Sequence, residues 1–535
     1  MSLPEIAATT QVGFPILSVI ILLPAIAALI ARFVPSDSLA LKVVLGASGL
    51  ELALAVYAWI AHDPTTAAMQ LSESGGIFGL AKLGIDGVSV MFIPVTALLT
   101  LFAVFYTLKS VTTNVRGYLA ILLLSEAALM GAFAALDLSV FWVFFVIEIV
   151  ATYALIKGWG IGEERNSAAQ SYLISMGLSA IVVAVGFILI AANVTSGFTF
   201  DLATIAAETI DPELQPFIFF VLCFGFAIKA PLFPLHSWLP KVLEHGPLVG
   251  MSVLVVGVKL GAYSLIRFVI PLLPEATAEW FWLMATFGLI SMVYGAMIAM
   301  VQTNLRRLVA FASVSHMGVV TVGLFSLNVT GIEGGLLQAL NLGITAVGLF
   351  LIASFITSRI GAPELSAMGG LQSRAPYMAF GFLVIALAAV GMPGTSGFNG
   401  EHLILLGAYE KHWLMALCVG IGPILAAAYF LRYYQRAFLG EASPETENKV
   451  LDLDGREKVI VLSIVGVVFW IGLYTTPFLS TMHNSVEGIA SQFQTSGSNH
   501  ALDAEDSILQ GGKAQLALEL GSPSETVNQR LESVK

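Results

Sequence analysis

Apolar residues run along this chain in stretches of roughly 17 to 25, long enough to cross a bilayer, with short polar loops between them. The pattern predicts about fourteen spans, near 14–33, 41–61, 88–108, 117–136, 138–159, 169–192, 214–233, 248–270, 280–301, 308–327, 335–357, 377–392, 402–431 and 458–478. The run at 402–431 is too long for one simple crossing and reads as beginning with a broken half-helix. Two other spans are interrupted. Lys229-Ala-Pro-Leu-Phe-Pro breaks the seventh at Pro231 and Pro234, and Gly391-Met-Pro-Gly-Thr breaks the twelfth at Pro393 and Gly394. Breaks at matching places, five helices apart, predict an inverted repeat with its sites near the bilayer midplane. Ordinary proline kinks are the plainer alternative.

The polar positions set the orientation. Arg32 and Lys42, Lys109 and Arg116, Lys157 and Arg165, Lys241, Arg306 and Arg307, Arg359 and Arg374, and Arg432 and Arg436 all fall in or beside odd-numbered loops. The even-numbered loop around Asp201, Glu208, Asp211 and Glu213 has no lysine or arginine. Basic loops stay in the cytoplasm, so both termini lie on the opposite side. From about residue 483 the chain turns polar and acidic, with an amphipathic patch near 509–520 that either lies on the membrane surface or is disordered.

Composition agrees with lipid as the solvent. Of 535 residues, 57% are hydrophobic and 11% charged, and mean hydropathy is +0.88. A soluble domain carries about 25% charged residues. A net charge of -11 argues against nucleic-acid binding, which needs a basic face. Cys223 and Cys418 both sit in apolar runs and read as structural. The first run lacks a basic leader and is long enough to span, so it does not read as a cleaved signal.

Against this background the charges inside the spans stand out. Glu51 lies in span two, Glu126 in span four and Glu148 in span five. Lys229 sits at the break of span seven with His236 just beyond, Lys259 in span eight, His316 in span ten and Glu401 just past the break of span twelve. An ionisable group at mid-bilayer costs at least about 2.5–3.5 kcal/mol and is a functional candidate by default. Attraction at 4 Å offsets about 4 kcal/mol at an effective dielectric near 20, so such groups must pair or face water. A buried lysine also keeps or loses its proton as a carboxylate approaches or withdraws. Lys229, Lys259, Glu126, Glu148, His236, His316 and Glu401 are therefore the candidates for moving protons, while Glu51 reads as facing a neighbouring subunit. A histidine near a helix end can instead be simply hydrogen-bonded, and the basic residues at helix ends read as topology anchors. No Walker loop, dinucleotide fingerprint, Cys/His metal spacing or nucleophile elbow competes.

The motifs carrying these residues resemble the antiporter-like membrane subunits of respiratory complex I, a family that includes cation/proton antiporter and membrane-bound hydrogenase subunits. The matching stretches are Phe224-Gly-Phe-Ala-Ile-Lys229-Ala-Pro-Leu-Phe-Pro-Leu-His236-Ser-Trp-Leu-Pro240, Leu83-Gly-Ile-Asp86-Gly-Val-Ser89, Lys259-Leu-Gly-Ala-Tyr263, Leu305-Arg-Arg-Leu-Val-Ala-Phe-Ala-Ser-Val-Ser-His316-Met-Gly318 and Gly391-Met-Pro-Gly-Thr-Ser-Gly-Phe-Asn-Gly-Glu401. The resemblance spans about residues 14 to 480 and is nearest the chain M / chain 4 branch, which includes the cyanobacterial NAD(P)H-quinone oxidoreductase. It implies fourteen helices: helices 1–3 in 1–115, a first repeat (helices 4–8) in 116–270, a second inverted repeat (helices 9–13) in 271–432, helix 14 in 433–482 and a tail at 483–535. It implies Lys229 as the pumping lysine, then Lys259, His316 and Glu401 as the terminal exchange group. It also implies that NAD(P)H, flavin, iron–sulfur clusters and quinone are handled by partner subunits, with no cofactor or metal on this chain. The assembly would sit, among antiporter-like neighbours and lipid, in a bacterial inner membrane or cyanobacterial thylakoid membrane.

The sequence departs from the family at several points. The span-five carboxylate that pairs with the pumping lysine falls at Val146, and Glu148 lies two residues on, roughly 200° around the helix. Leu342 and Leu243 stand where the family has histidines, with His245 near the second, and the stretch from Pro247 to Lys259 is one residue short. Either Glu126 or a reoriented Glu148 then partners Lys229. The alternative reading is a divergent paralogue serving carbon-dioxide or bicarbonate uptake, a hydrogenase or a cation/proton antiporter complex.

Overall fold

The computed structural model describes residues 5–248, 251–361 and 364–493. The chain is a bundle of helices with one small sheet. Its helices are α1 (Ile16–Phe33), α2 (Asp37–Ala61), α3 (Phe92–Ser110), α4 (Val115–Ala134), α5 (Leu138–Trp159), α6 (Arg165–Ala192), α7 (Gln215–Lys229), α8 (Trp238–His245), α9 (Met251–Ser264), α10 (Pro274–Val301), α11 (Leu305–Leu324) and α12 (Val329–Ile360). They continue as α13 (Pro376–Val390), α14 (Ser396–Lys411), α15 (Trp413–Val419), α16 (Ile421–Phe438), α17 (Gly455–Leu473) and α18 (Thr476–Phe493). Among the described residues nine stretches are long and apolar enough to cross a membrane, or ten with the pair α17–α18, bent by 63°. Other expected runs fold as shorter apolar helices such as α7 and α13. The chain is an integral, multi-pass, all-α membrane protein.

Local chemistry explains where the helices begin. Asp137 accepts hydrogen bonds from the backbone of Ser139 and Val140 at the start of α5, Asn304 does the same for Arg306 and Arg307 before α11, and Asn328 caps α12 through Gly331. α1 has no cap of its own. Its first amides are taken instead by Glu73, which accepts from Leu17 at 2.7 Å and from Ser18. Glu73 comes from a three-stranded sheet that the hydrophobic pattern did not predict, β1 (Glu5–Ala7), β2 (Met69–Gly75) and β3 (Ala81–Ile85), with β1 parallel and β3 antiparallel to β2.

Burial is graded. α11 and α12 are buried along nearly their whole length, whereas α2, α6 and α15–α16 turn large apolar side chains such as Ile60, Ile174 and Leu417 outward. In water such a surface would aggregate, and against lipid it is at rest. Where α9 ends, residues Leu265–Val269 form a π turn, closed by Ile270 N to Leu265 O at 3.0 Å. It carries Arg267, whose guanidinium is bound by both carboxylate oxygens of Asp86.

Two expectations need correction. The run at 402–431 is not one span with a broken start. Residues up to Lys411 complete the broken twelfth span as α14, and the next crossing is α15–α16. The polar tail does not begin at 483, because α18 continues to Phe493. It is held by hydrogen bonds from Asn484 to Pro64 O (2.6 Å), from Trp59 to Thr481 (3.1 Å) and from Gly87 N to Ser485 (3.0 Å). The patch at 509–520 lies outside the described residues.

Candidate functional site

Two helix breaks position the buried charges. α7 stops at Lys229 because Pro231 and Pro234 cannot continue it. The freed backbone groups find partners at once. Trp238 Nε1 donates to Ile228 O at 2.9 Å, and Phe233 N donates to Ser291 Oγ of α10 at 2.8 Å. α13 ends at Gly391, whose φ of +81° and hydrogen bonds, Gly391 N to Ala388 O and Met392 N to Leu387 O, form a Schellman stop. Helix restarts at Ser396 and carries Glu401 in its second turn.

At the first break Lys229 forms an ion pair with Glu148 of α5. Both are buried, at 1% and 0% exposure. The second Glu148 oxygen accepts from Thr152 at 3.0 Å and meets the Tyr172 hydroxyl at 3.5 Å, so three groups hold one carboxylate. The Phe145 ring lies 5.2 Å from the Lys229 ammonium. Gly257 of α9 makes the room, because a Cβ there would stand 2.8 Å from Glu148 Oε1. α9 also packs close to the break, with Gly261 against the backbone of Ala230.

Of the two alternatives left open by Val146, the geometry is that of a reoriented Glu148. The helix turns Glu148 inward, while Val146 is half-buried against core side chains. Glu126 is not the lysine's partner either. It faces Glu51 and Thr100 instead. Glu51 does not face a neighbouring subunit, being fully buried inside the chain.

Beyond the pair, Lys259 lies on α9 two residues before Gly261, buried, and its ammonium makes no hydrogen bond among the described residues. His316 of α11 is its electrostatic neighbour. His316 Nε2 lies 3.2 Å from the Tyr429 hydroxyl, and Nδ1 lies 3.6 Å from Glu401 Oε1. Gln338 of α12 donates to the same Glu401 oxygen at 3.0 Å, and Asn341 donates to Gln338 at 3.3 Å. These amides link α12 to Glu401, while Leu342 is simply core. Gly391 gives Glu401 its space, since a Cβ there would strike Oε2. A cavity of 190 Å³, lined by Gly391, Phe398, Glu401 and His402, opens beside it.

The structure thus pairs Glu148 with Lys229 at the first break and sets His316 against Glu401 at the second, with Lys259 on the helix packed against the first break and neighbouring His316. His236 stays apart, in an aromatic cage of Phe233, Tyr294 and Phe311, its Nδ1 without a partner among the described residues. Leu243 is buried apolar surface, and His245 sits near Glu164 and Glu244. Sequence reasoning missed Thr152, Tyr172, Gln338, Tyr429 and Gly257, and read Gly391 only as part of a helix break, not as the space for Glu401. The glycines left a trace, each within ten residues before an intramembrane charge, but glycine is common throughout these spans. Among the described residues no three of His, Cys, Asp and Glu cluster as a metal site requires.

Comparisons with known proteins bear on the family and the fold. The pattern of the NADH:quinone oxidoreductase/Mrp antiporter transmembrane family matches residues 135–425. NADH-quinone oxidoreductase subunit M of Rickettsia bellii is 32% identical over 494 residues, covering 90% of this chain and 99% of the relative. NADH-ubiquinone oxidoreductase chain 4 of Marchantia polymorpha is 32% identical over 88% of this chain and 96% of its own length. A chain in the structure of respiratory complex I from Thermus thermophilus with bound NADH superposes with a TM-score of 0.82, at 30% identity, over 89% of this chain and 99% of that one.

Proposed function

Because this chain belongs to the NADH:quinone oxidoreductase/Mrp antiporter family of membrane subunits, we propose that it is the chain M / chain 4 type subunit of a complex I-like NAD(P)H:quinone oxidoreductase and moves protons while partner subunits carry electrons. The observation that carries this reading is the buried Lys229–Glu148 ion pair at the break of a spanning helix. A scaffold gains nothing from such a pair, whereas a proton carrier needs it. A lysine facing a carboxylate keeps its proton, and the same lysine with the carboxylate withdrawn gives it up. Movement of α5 against α7 therefore converts conformational work into proton release toward Lys259, His316 and Glu401. Glu401, beside its cavity, is the group that exchanges with solvent. In this reading the two breaks belong to two inverted repeats, at about 116–270 and 271–432.

NAD(P)H, flavin, iron–sulfur clusters and quinone belong in this reading to partner subunits, and the membrane is a bacterial inner or cyanobacterial thylakoid membrane. The ground for a divergent paralogue was an absent carboxylate at Val146, and Glu148 now supplies that carboxylate. The test is Lys229→Ala in the assembled complex. Proton translocation per electron should fall while the isolated electron-transfer reaction persists. Unchanged translocation would exclude Lys229 as a carrier.

A further inference from the structure

Glu51 and Glu126 take no part in the succession from Glu148 to Glu401. Both are completely buried, and they face each other where α2, α3 and α4 meet. Thr100 of α3, also fully buried, faces Glu126. Among the described residues, none of the four carboxylate oxygens closes a hydrogen bond, and neither does Thr100 Oγ1 or Ser48 Oγ, one turn before Glu51 on α2. Two acids and the Thr100 hydroxyl thus gather at one junction, with buried Ser48 one turn away on α2. Among the described side chains of the surrounding helices, the other charged groups are engaged or placed elsewhere, and His62 at the end of α2 neighbours Asp86 and Asp63. Glu148 pairs with Lys229, Lys259 neighbours His316, Lys157 lies over Tyr153, Arg116 pairs with Asp37, and Arg32 and Lys42 are exposed at helix ends.

Two carboxylates in a dry interior cannot both stay ionised, and one proton between them turns repulsion into a hydrogen bond. The Thr100 hydroxyl can then donate to the oxygen that keeps the charge. We propose that Glu51 and Glu126 form a second proton-binding site, a carboxyl pair sharing one proton, beside the Lys229 succession rather than within it. The site stands whether or not that succession carries protons. It is placed to influence it: Leu129, one turn beyond Glu126 on α4, lies 3.8 Å from where a side chain on Gly257 would begin, next to the Glu148 carboxylate.

A shared proton has a titration signature that separate acids lack, because the two steps belong to the pair. Carboxyl infrared absorbance is titrated in the purified complex in liposomes, and parent-minus-variant differences are taken. Relative to E51Q/E126Q, the parent should show two steps several pH units apart. E51Q and E126Q should each retain one step lying between those two. E51D, which shortens the reach, should bring the steps closer together, and thermal melting checks that each variant is folded. If the step left in either single variant sits where it sat in the parent, the two groups are independent and the proposal fails. It also fails if E51D titrates like the parent, or if sodium at fixed pH displaces the steps where choline does not, which would mark a metal-cation site.

Discussion

Replacing Gly257 with alanine tests the Glu148 arrangement with a single methyl group. The added Cβ would meet Glu148 Oε1 at 2.8 Å, so the carboxylate must retreat by about 0.6 Å to reach ordinary contact. If it moves along the axis to Lys229, the charge separation grows from about 3 to about 3.6 Å. At an effective dielectric near 20 the attraction then falls by about 0.9 kcal/mol, roughly a fivefold change in the balance between paired and parted states. Folding should respond in the opposite sense, because alanine favours helix over glycine by about 0.8–1 kcal/mol. The expected result is a complex that melts no lower than the parent yet pumps several-fold more slowly at unchanged quinone affinity. Pumping at the parental rate in the variant would refute the view that Gly257 sets the position of this carboxylate.

Glu148→Gln should lower pumping at least tenfold, and Val146→Glu added to it should not restore activity, since two residues are about 200° of helix; restored pumping would return the role to position 146. Asp86→Asn strands the buried Arg267 charge and should cost about 3–5 kcal/mol, visible as a large drop in melting temperature, while Asp86→Asn with Arg267→Gln should recover most of it. At the loop surface, burial works to raise the Asp201 carboxyl, but hydrogen bonds from Lys82 and Thr204 outweigh it and hold the group below its usual value. A depressed carboxyl stabilises above its unfolded pKa of about 3.9 and loses that contribution as pH falls through its folded value. Parent and Asp201→Asn should therefore differ by a small, constant amount, under about 1 kcal/mol, above about pH 4 and converge below it. A difference that widens on acidification would contradict the assignment.

The spans were legible because a bilayer demands long apolar runs, and the two broken helices because proline and glycine mark them in the sequence. The three-stranded sheet was not, since Met69–Gly75 carries Gln70, Ser72 and Glu73 and pairs with two still shorter strands, one of them at the far-off Glu5–Ala7. The charged residues could be named from sequence, but partner choice could not. Whether Glu148 or Glu126 meets Lys229 depends on the rotation of two helices and on space left by Gly257, a residue with no side chain to announce itself. Likewise Gln338 and Asn341 looked like polar residues in a span until the fold set them against Glu401. Periodicity reports which face of a helix is apolar; it does not report which neighbour that face meets.

The grip of α18 on the start of the chain has a consequence for synthesis. Gly87 N, Trp59 and the carbonyl of Pro64 are completed by residues about 400 positions later in the chain. At about 5–20 residues per second, the first helices wait roughly 20–80 s in the membrane before Ser485 and its neighbours emerge. The first ninety or so residues therefore mature last although they are made first, and a chaperone that shields their unfinished surface during that interval would be recognising an intermediate, not the finished protein.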